Sequence, residues 1–202
     1  MNSKLKNKIR KKLVTSFWIT NPNNQNIEIA KDSKFFDVFV IDNEHSLIST
    51  EEIRSIILFL NANRVPVLMR FAKFNFHEIP KYLDFGIDGV IVADVKSYLE
   101  LKKIKKNIFY RNIGERGVGL GRTNMHGDTF SEYLKNFKKS IVFLPMIESN
   151  IKLTEIENIF KDSEVDGCLI GPYDLSMSLN SPGNFNTKDF KNLENFIIKM
   201  KK

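Results

Sequence analysis

Ile141-Val142-Phe143-Leu144-Pro145-Met146-Ile147-Glu148 and Val165-Asp166-Gly167-Cys168-Leu169-Ile170-Gly171-Pro172-Tyr173-Asp174-Leu175-Ser176 are the two stretches on which the fold turns. Each holds an apolar run with no polar alternation, the pattern of a strand buried on both faces. Each then delivers a carboxylate, Glu148 in the first and Asp174 in the second. In a parallel α/β barrel the C-terminal ends of the strands form the active face. Glu148 and Asp174 would meet there. Paired carboxylates are hard oxygen ligands, suited to Mg²⁺ or Mn²⁺, ions that keep several waters and take up substrate oxygens. The competing reading is that each carboxylate only caps the following helix.

The same alternation runs outward from these stretches. Residues 3–12 read as a short basic helix with Leu5 and Ile9 on one face, and Leu13 to Ile19 as a first strand. A short helix opens at Ile27. Residues 36–41 form a second strand that delivers Asp42-Asn43-Glu44-His45 at its end. Ser49-Thr50-Glu51-Glu52 is a helix start with capping-box spacing. A third strand at 65–69 ends in Arg70. A helix at 77–84, a fourth strand at 89–93 and a helix from Ser97 to Lys105 follow.

Residues 111–127 then form a loop holding Gly114, Gly117, Gly119, Gly121 and Gly127, half of the chain's 10 glycines. A long Gly-rich loop inside a compact domain is usually functional. Helices at 129–137, 151–161 and from 187 to the end complete the pattern, with a turn at Ser181-Pro182-Gly183-Asn184.

Strands alternating with helices argue a parallel sheet covered by helices, closed as a barrel or open and doubly wound. About six βα units are countable, where a closed barrel has eight. Gly117-Val118-Gly119-Leu120-Gly121 lacks the spacing and preceding strand of a dinucleotide fingerprint.

Composition is that of one globular domain spanning 1–202, at 42% hydrophobic and 27% charged. No apolar run reaches membrane-spanning length, and the basic N-terminus is not followed by the apolar stretch of a signal peptide. A cytoplasmic protein is expected. The single cysteine, Cys168, sits in an apolar run and reads as a core residue in a reducing compartment. The net charge of +7 comes from dispersed lysines, with clusters at Lys4–Lys12, Lys102–Lys106 and Lys199–Lys202. No nucleic-acid motif accompanies them, and neither nucleic acid nor membrane is an expected partner.

Taken in order, the motifs resemble the HpcH/HpaI aldolase family of metal-dependent class II pyruvate aldolases. They are Asp42-x-Glu44-His45, Arg70, Tyr82-Leu83-Asp84-x-Gly86-x-x-Gly89, Gly114-x-Arg116-Gly117-Val118-Gly119-Leu120-x-Arg122, Ile147-Glu148-Ser149 and Gly171-Pro172-Tyr173-Asp174-Leu175-Ser176-x-Ser178. The resemblance spans about residues 5–190. It implies a (β/α)8 TIM barrel of the phosphoenolpyruvate/pyruvate type, assembled as a trimer or hexamer. It implies Glu148 and Asp174 as ligands of Mg²⁺, Mn²⁺ or Co²⁺, and a small 2-oxoacid chelated to that ion. Arg70 would hold the substrate's oxygens. His45, oriented by Asp42, would move the proton of the 4-hydroxyl. Asp84 joins the catalytic set, and Gly171, Pro172 and Tyr173 the substrate-binding set.

Each of these residues has a structural alternative. His45 could cap a helix, Arg70 could form a structural ion pair, and Asp84 could pair an arginine or cap a turn. Glu44 would position its neighbours or a metal-bound water. Arg116 and Arg122 would either bind an acidic substrate tail or hold the Gly-rich loop. His77 and His126 read as surface residues.

The sequence departs from the family at Met146, where Gln is common, at Ala93-Asp94, where Pro is common, and at Ser16-Phe17-Trp18, which lacks the usual Gly. It also resembles a barrel cut after about six units. A partner chain completing the wall, a non-catalytic role, and a citrate-lyase-type reaction on an acyl-CoA are the alternatives to aldol cleavage.

Overall fold

The computed structural model describes residues 3–200. Met1 and Asn2 of the basic N-terminus, and Lys201 and Lys202 of the last lysine cluster and helix, lie outside the described residues. The elements in chain order are α1 (Ser3–Lys11), β1 (Ser16–Ile19), α2 (Asn24–Asp32), β2 (Val38–Asn43), α3 (Thr50–Ala62), β3 (Val67–Phe71), α4 (Ile79–Phe85), β4 (Gly89–Val92), α5 (Tyr98–Ile108), α6 (Phe130–Ser140), β5 (Val142–Ile147), α7 (Leu153–Lys161), β6 (Leu169–Ile170), α8 (Pro172–Ser178) and α9 (Lys188–Lys199). Short 3₁₀ turns occupy Lys73–Glu78 and Arg122–Gly127.

The strands form one parallel sheet in the order β1-β2-β3-β4-β5-β6. Strictly sequential order excludes the doubly wound alternative, in which the strand order reverses. The sheet is curled. Val38, Val40, Leu68, Ile91, Ala93, Val142, Leu144 and Met146 bury one another on its inner face, with Leu5 of α1 beside them. The outer face packs on the helices through Phe39, Ile41, Val67, Met69, Phe71, Val90, Phe143 and Ile147. Trp18 of β1 and Leu169 of β6 line the same apolar cleft of about 450 Å³, so the first and last strands face each other across it.

α1 lies against the N-terminal end of the strands and is held there by charge. The Asp166 carboxylate is buried, 3.2 Å from Lys6 Nζ and 2.6 Å from Arg10 Nη2. It also accepts from Phe143 N at 3.0 Å, while Lys6 Nζ donates to the Ile141 carbonyl at 2.8 Å. Burial lowers the Lys6 pKa, with Asp166 opposing the shift. This geometry also shortens β6 from the run expected at 165–170. Asp166 meets Phe143 through its side chain as well as its backbone, and the regular ladder begins only at Leu169. Asp166→Ala strands a buried lysine, so urea melts should show a loss of about 3–5 kcal/mol. A loss under about 1 kcal/mol would contradict the packing of α1 described above.

Candidate active site

β2 and β3 set the first part of the site. Their register places Asp42 opposite Arg70. Both residues share the inward parity of Val40 and Leu68, and so extend the inner face to the C-terminal end of the strands. The two side chains form a bidentate pair, Nε to Oδ1 at 2.8 Å and Nη2 to Oδ2 at 2.5 Å. Arg70 Nη1 lies 3.3 Å from Glu44 Oε2, and the guanidinium centre stacks 5.1 Å from the Trp18 ring of β1. Three groups, Asp42, Glu44 and Trp18, therefore fix one planar cation, leaving little rotamer freedom to lose when a ligand arrives.

Burial pushes the Asp42 pKa up, but Arg70 and the backbone N–H groups of Glu44 and His45 outweigh it and hold the carboxyl below 3.8. A carboxylate with a depressed folded pKa adds stability that is present above its unfolded pKa and lost as pH falls through the folded value. The acid limb of the unfolding curve, below about pH 4, should therefore be shallower in Asp42→Asn than in wild type. Superimposable acid limbs would contradict the assignment.

Glu148 follows β5 directly and is buried. Its Oε1 accepts from Asp94 N at 2.6 Å. A Cβ at residue 171 would lie 2.4 Å from Glu148 Oε2, so only glycine leaves room for this carboxylate. Burial, the charge of Glu44 and then that of Asp174 raise the Glu148 pKa. Burial likewise raises Glu44 despite Arg70, and Glu44 Oε2 has no hydrogen-bond donor. Asp174 lies in the first turn of α8 and acts on both. Three mutually repelling carboxylates, two of them desolvated, are what a divalent cation would stabilise.

The donor set fits Mg²⁺ or Mn²⁺. It is all oxygen, and among the described residues no group of three His, Cys, Asp or Glu side chains closes around one point. Two carboxylates without a complete cage leave positions for water and substrate oxygens.

The sequence-derived site residues distribute as follows. Asp42, Arg70, Glu44 and Glu148 converge, with Asp174 beside them. His45 projects from the same loop, with its side chain 67% exposed and Nε2 3.8 Å from Glu44 Oε2. The expected orientation of His45 by Asp42 needs correction. Asp42 accepts from the His45 backbone N–H at 3.3 Å while its carboxylate grips Arg70, and Glu44 is the carboxylate near the ring. His45 caps no helix, because Ser49 forms the capping box of α3.

Gly171 and Pro172 form the β6–α8 junction. Tyr173 turns its ring onto Phe185, with centroids 5.2 Å apart. Asp84 is not brought to the rim within this chain. It lies at the C-terminal end of α4, paired with Arg116 at 2.5 Å. Arg122 donates to Asn61 Oδ1 and to the Phe85 carbonyl. Both arginines therefore hold the Gly-rich loop. His77 and His126 are exposed, and burial pushes the Cys168 thiol up to about 12, which leaves it unreactive. Trp18 and Asp94 are the contacts that sequence reasoning missed.

The HpcH/HpaI aldolase/citrate lyase family matches residues 15–202. A 2-keto-3-deoxy-L-rhamnonate aldolase of Salmonella gallinarum is 25% identical over 169 residues, which are 83% of this chain and 62% of that protein. A hydroxypyruvate/pyruvate aldolase of Rhizorhabdus wittichii is 28% identical over 144 residues, 71% of this chain and 57% of that one. The chain thus spans about three-fifths of the length of these curated relatives. The crystal structure of the citrate synthase SbnG superposes with a TM-score of 0.85 at 25% identity, over 98% of this chain and 77% of that one. No helix among the described residues is long and apolar enough to cross a membrane.

Proposed function

The chain belongs to the HpcH/HpaI aldolase/citrate lyase family, and from that membership we propose that it performs divalent-metal-dependent retro-aldol cleavage of a 4-hydroxy-2-oxoacid to pyruvate and an aldehyde. The observation that carries the reading is the convergence of the Arg70–Asp42 pair with Glu148 at the C-terminal ends of β2, β3 and β5. Glu148 and Asp174 would hold the ion. When bound, it supplies positive charge beside the substrate's keto oxygen.

Arg70 donates to the same oxygen as the C3–C4 bond breaks and its electron pair becomes the enolate of pyruvate. Asp42, Glu44 and Trp18 keep the guanidinium aimed, so no reorganisation is needed at that moment. The 4-hydroxyl proton leaves as C4 becomes the aldehyde carbonyl. His45 takes it, with Glu44 close enough to stabilise the imidazolium. Returning a proton to C3 completes pyruvate. Gly171, Pro172 and Tyr173 would receive the substrate carboxylate, with the backbone N–H groups that follow Gly171-Pro172 as donors. Asp84 acts at a distance, by anchoring the Gly-rich loop through Arg116.

Assembly as a homotrimer or hexamer, or a partner chain seated in the cleft between β1 and β6, belongs to the same proposal. The likeness to a citrate synthase supports a second reading, a C–C lyase acting on an acyl-CoA thioester. Turnover assays decide between the two. Pyruvate released from 4-hydroxy-2-oxoacids without CoA supports the aldolase. Activity appearing only with an acyl-CoA supports the alternative.

A further inference from the structure

We propose that Asp94 is a positioning residue for the metal ligand Glu148, acting through its own backbone N–H. The inference rests on the metal role given to Glu148 above. Asp94 follows β4 and has φ +49, in the left-handed region that non-glycine residues enter only at a cost. In that conformation its N–H points at Glu148 Oε1 from 2.6 Å. The next residue is tied to the same strand end, with Val95 N donating to the Met146 carbonyl at 3.1 Å.

Three side chains hold the residue there, Ser149, Lys96 and, more loosely, Lys73, whose Nζ lies 3.8 Å from Oδ2. Ser149 Oγ donates to Asp94 Oδ1 at 2.5 Å, and Lys96 Nζ lies 3.0 Å from Oδ2. The tie is reciprocal, since the segment carrying Glu148 anchors Asp94 through Ser149, and Asp94 orients Glu148. With Oε1 engaged by the Asp94 N–H and Oε2 packed beside Gly171, the carboxylate has one orientation. A buried carboxylate beside Glu44 and Asp174 would otherwise rotate away from like charge. Asp is among the few non-glycine residue types that adopt φ > 0 readily, whereas a β-branched residue there is a genuine outlier.

The test is Mn²⁺ affinity, read by electron paramagnetic resonance of free Mn²⁺ and by calorimetry, with no substrate present. Asp94→Val disfavours the left-handed backbone and is expected to weaken Mn²⁺ binding by about 10-fold or more, the range seen when the support of a metal ligand is removed. Asp94→Asn keeps both the conformation and an acceptor for Ser149, and should bind within about 2-fold of wild type. Ser149→Ala removes the side-chain hydrogen bond that ties Asp94 to the segment carrying Glu148, leaving the Lys73 and Lys96 ion pairs, and should weaken binding by about 3-fold. This variant carries the test if Asp94→Val does not fold, which thermal melts of the apoprotein reveal.

Folded Asp94→Val or Ser149→Ala with wild-type affinity overturns the inference while leaving Glu148 a ligand. Wild type that takes up no Mn²⁺ overturns the metal reading, and the inference with it.

Discussion

Arg70→Ala is expected to lower kcat/KM for pyruvate release by about 10²–10³-fold, the cost of removing one aligned donor from a developing oxyanion. The guanidinium is fixed from two neighbouring strands, gripped by Asp42 of β2 through two hydrogen bonds and covered by Trp18 of β1. Arg70→Lys keeps the charge but not the fork. A lysine ammonium cannot satisfy both Asp42 oxygens in a plane and still face the substrate, so it should restore less than about a tenth of the activity.

The alanine variant also leaves Asp42 buried without its partner, which costs stability of order 3–5 kcal/mol. Melting curves must therefore accompany the kinetics. A folded Arg70→Ala enzyme within about tenfold of wild type would show that Arg70 serves the fold and not the reaction.

Glu148→Ala should abolish Mn²⁺ binding and turnover together, with an unusual stability signature. In the apoprotein Glu148 is a desolvated carboxylate repelled by Glu44 and Asp174. Removing it relieves that repulsion but takes the acceptor from the Asp94 N–H, so the two effects oppose and the apo variant should stay within about 1 kcal/mol of wild type. Wild type, in contrast, should gain about 2.7 kcal/mol when Mn²⁺ is present at 100 times its dissociation constant, and the variant should gain nothing. A residue that only supported the β5 end would behave the opposite way, losing apo stability and keeping the metal-induced gain. Equal Mn²⁺ stabilisation of both proteins contradicts the assignment.

The strands and helices were legible because each strand is an apolar run closed by turn residues and most helices carry a cap or an amphipathic face. Unbroken alternation argues a parallel sheet but leaves the strand order open between a barrel and a doubly wound sheet, and it does not give the curl. The curl depends on which inward residues meet, such as Val40, Leu68, Ile91 and Leu144. β6 was overestimated because hydropathy does not reveal that Asp166 serves α1 and Phe143 together.

At the site, Asp42, Arg70, Glu148 and Asp174 stood out as charged residues closing or following apolar strands. Partner choice among them did not. Two carboxylates, Asp42 and Glu44, flank one arginine and one histidine, and only the β2–β3 register decides that Asp42 takes Arg70. Asp94 stood out only as a departure from the family pattern, and its role left no signal, since what it offers Glu148 is a backbone N–H. Asp84 was read from its motif alone, and its motif does not record that Arg116 folds back onto it.

Pyruvate formation from a panel of 4-hydroxy-2-oxoacids, coupled to lactate dehydrogenase, tests the central claim most directly. With Mn²⁺ or Mg²⁺ the protein should turn over at least one substrate. EDTA should stop the reaction, and excess Mn²⁺ should restore it. Folded, Mn²⁺-loaded protein that releases no pyruvate from any of them, or release that EDTA leaves untouched, would contradict it.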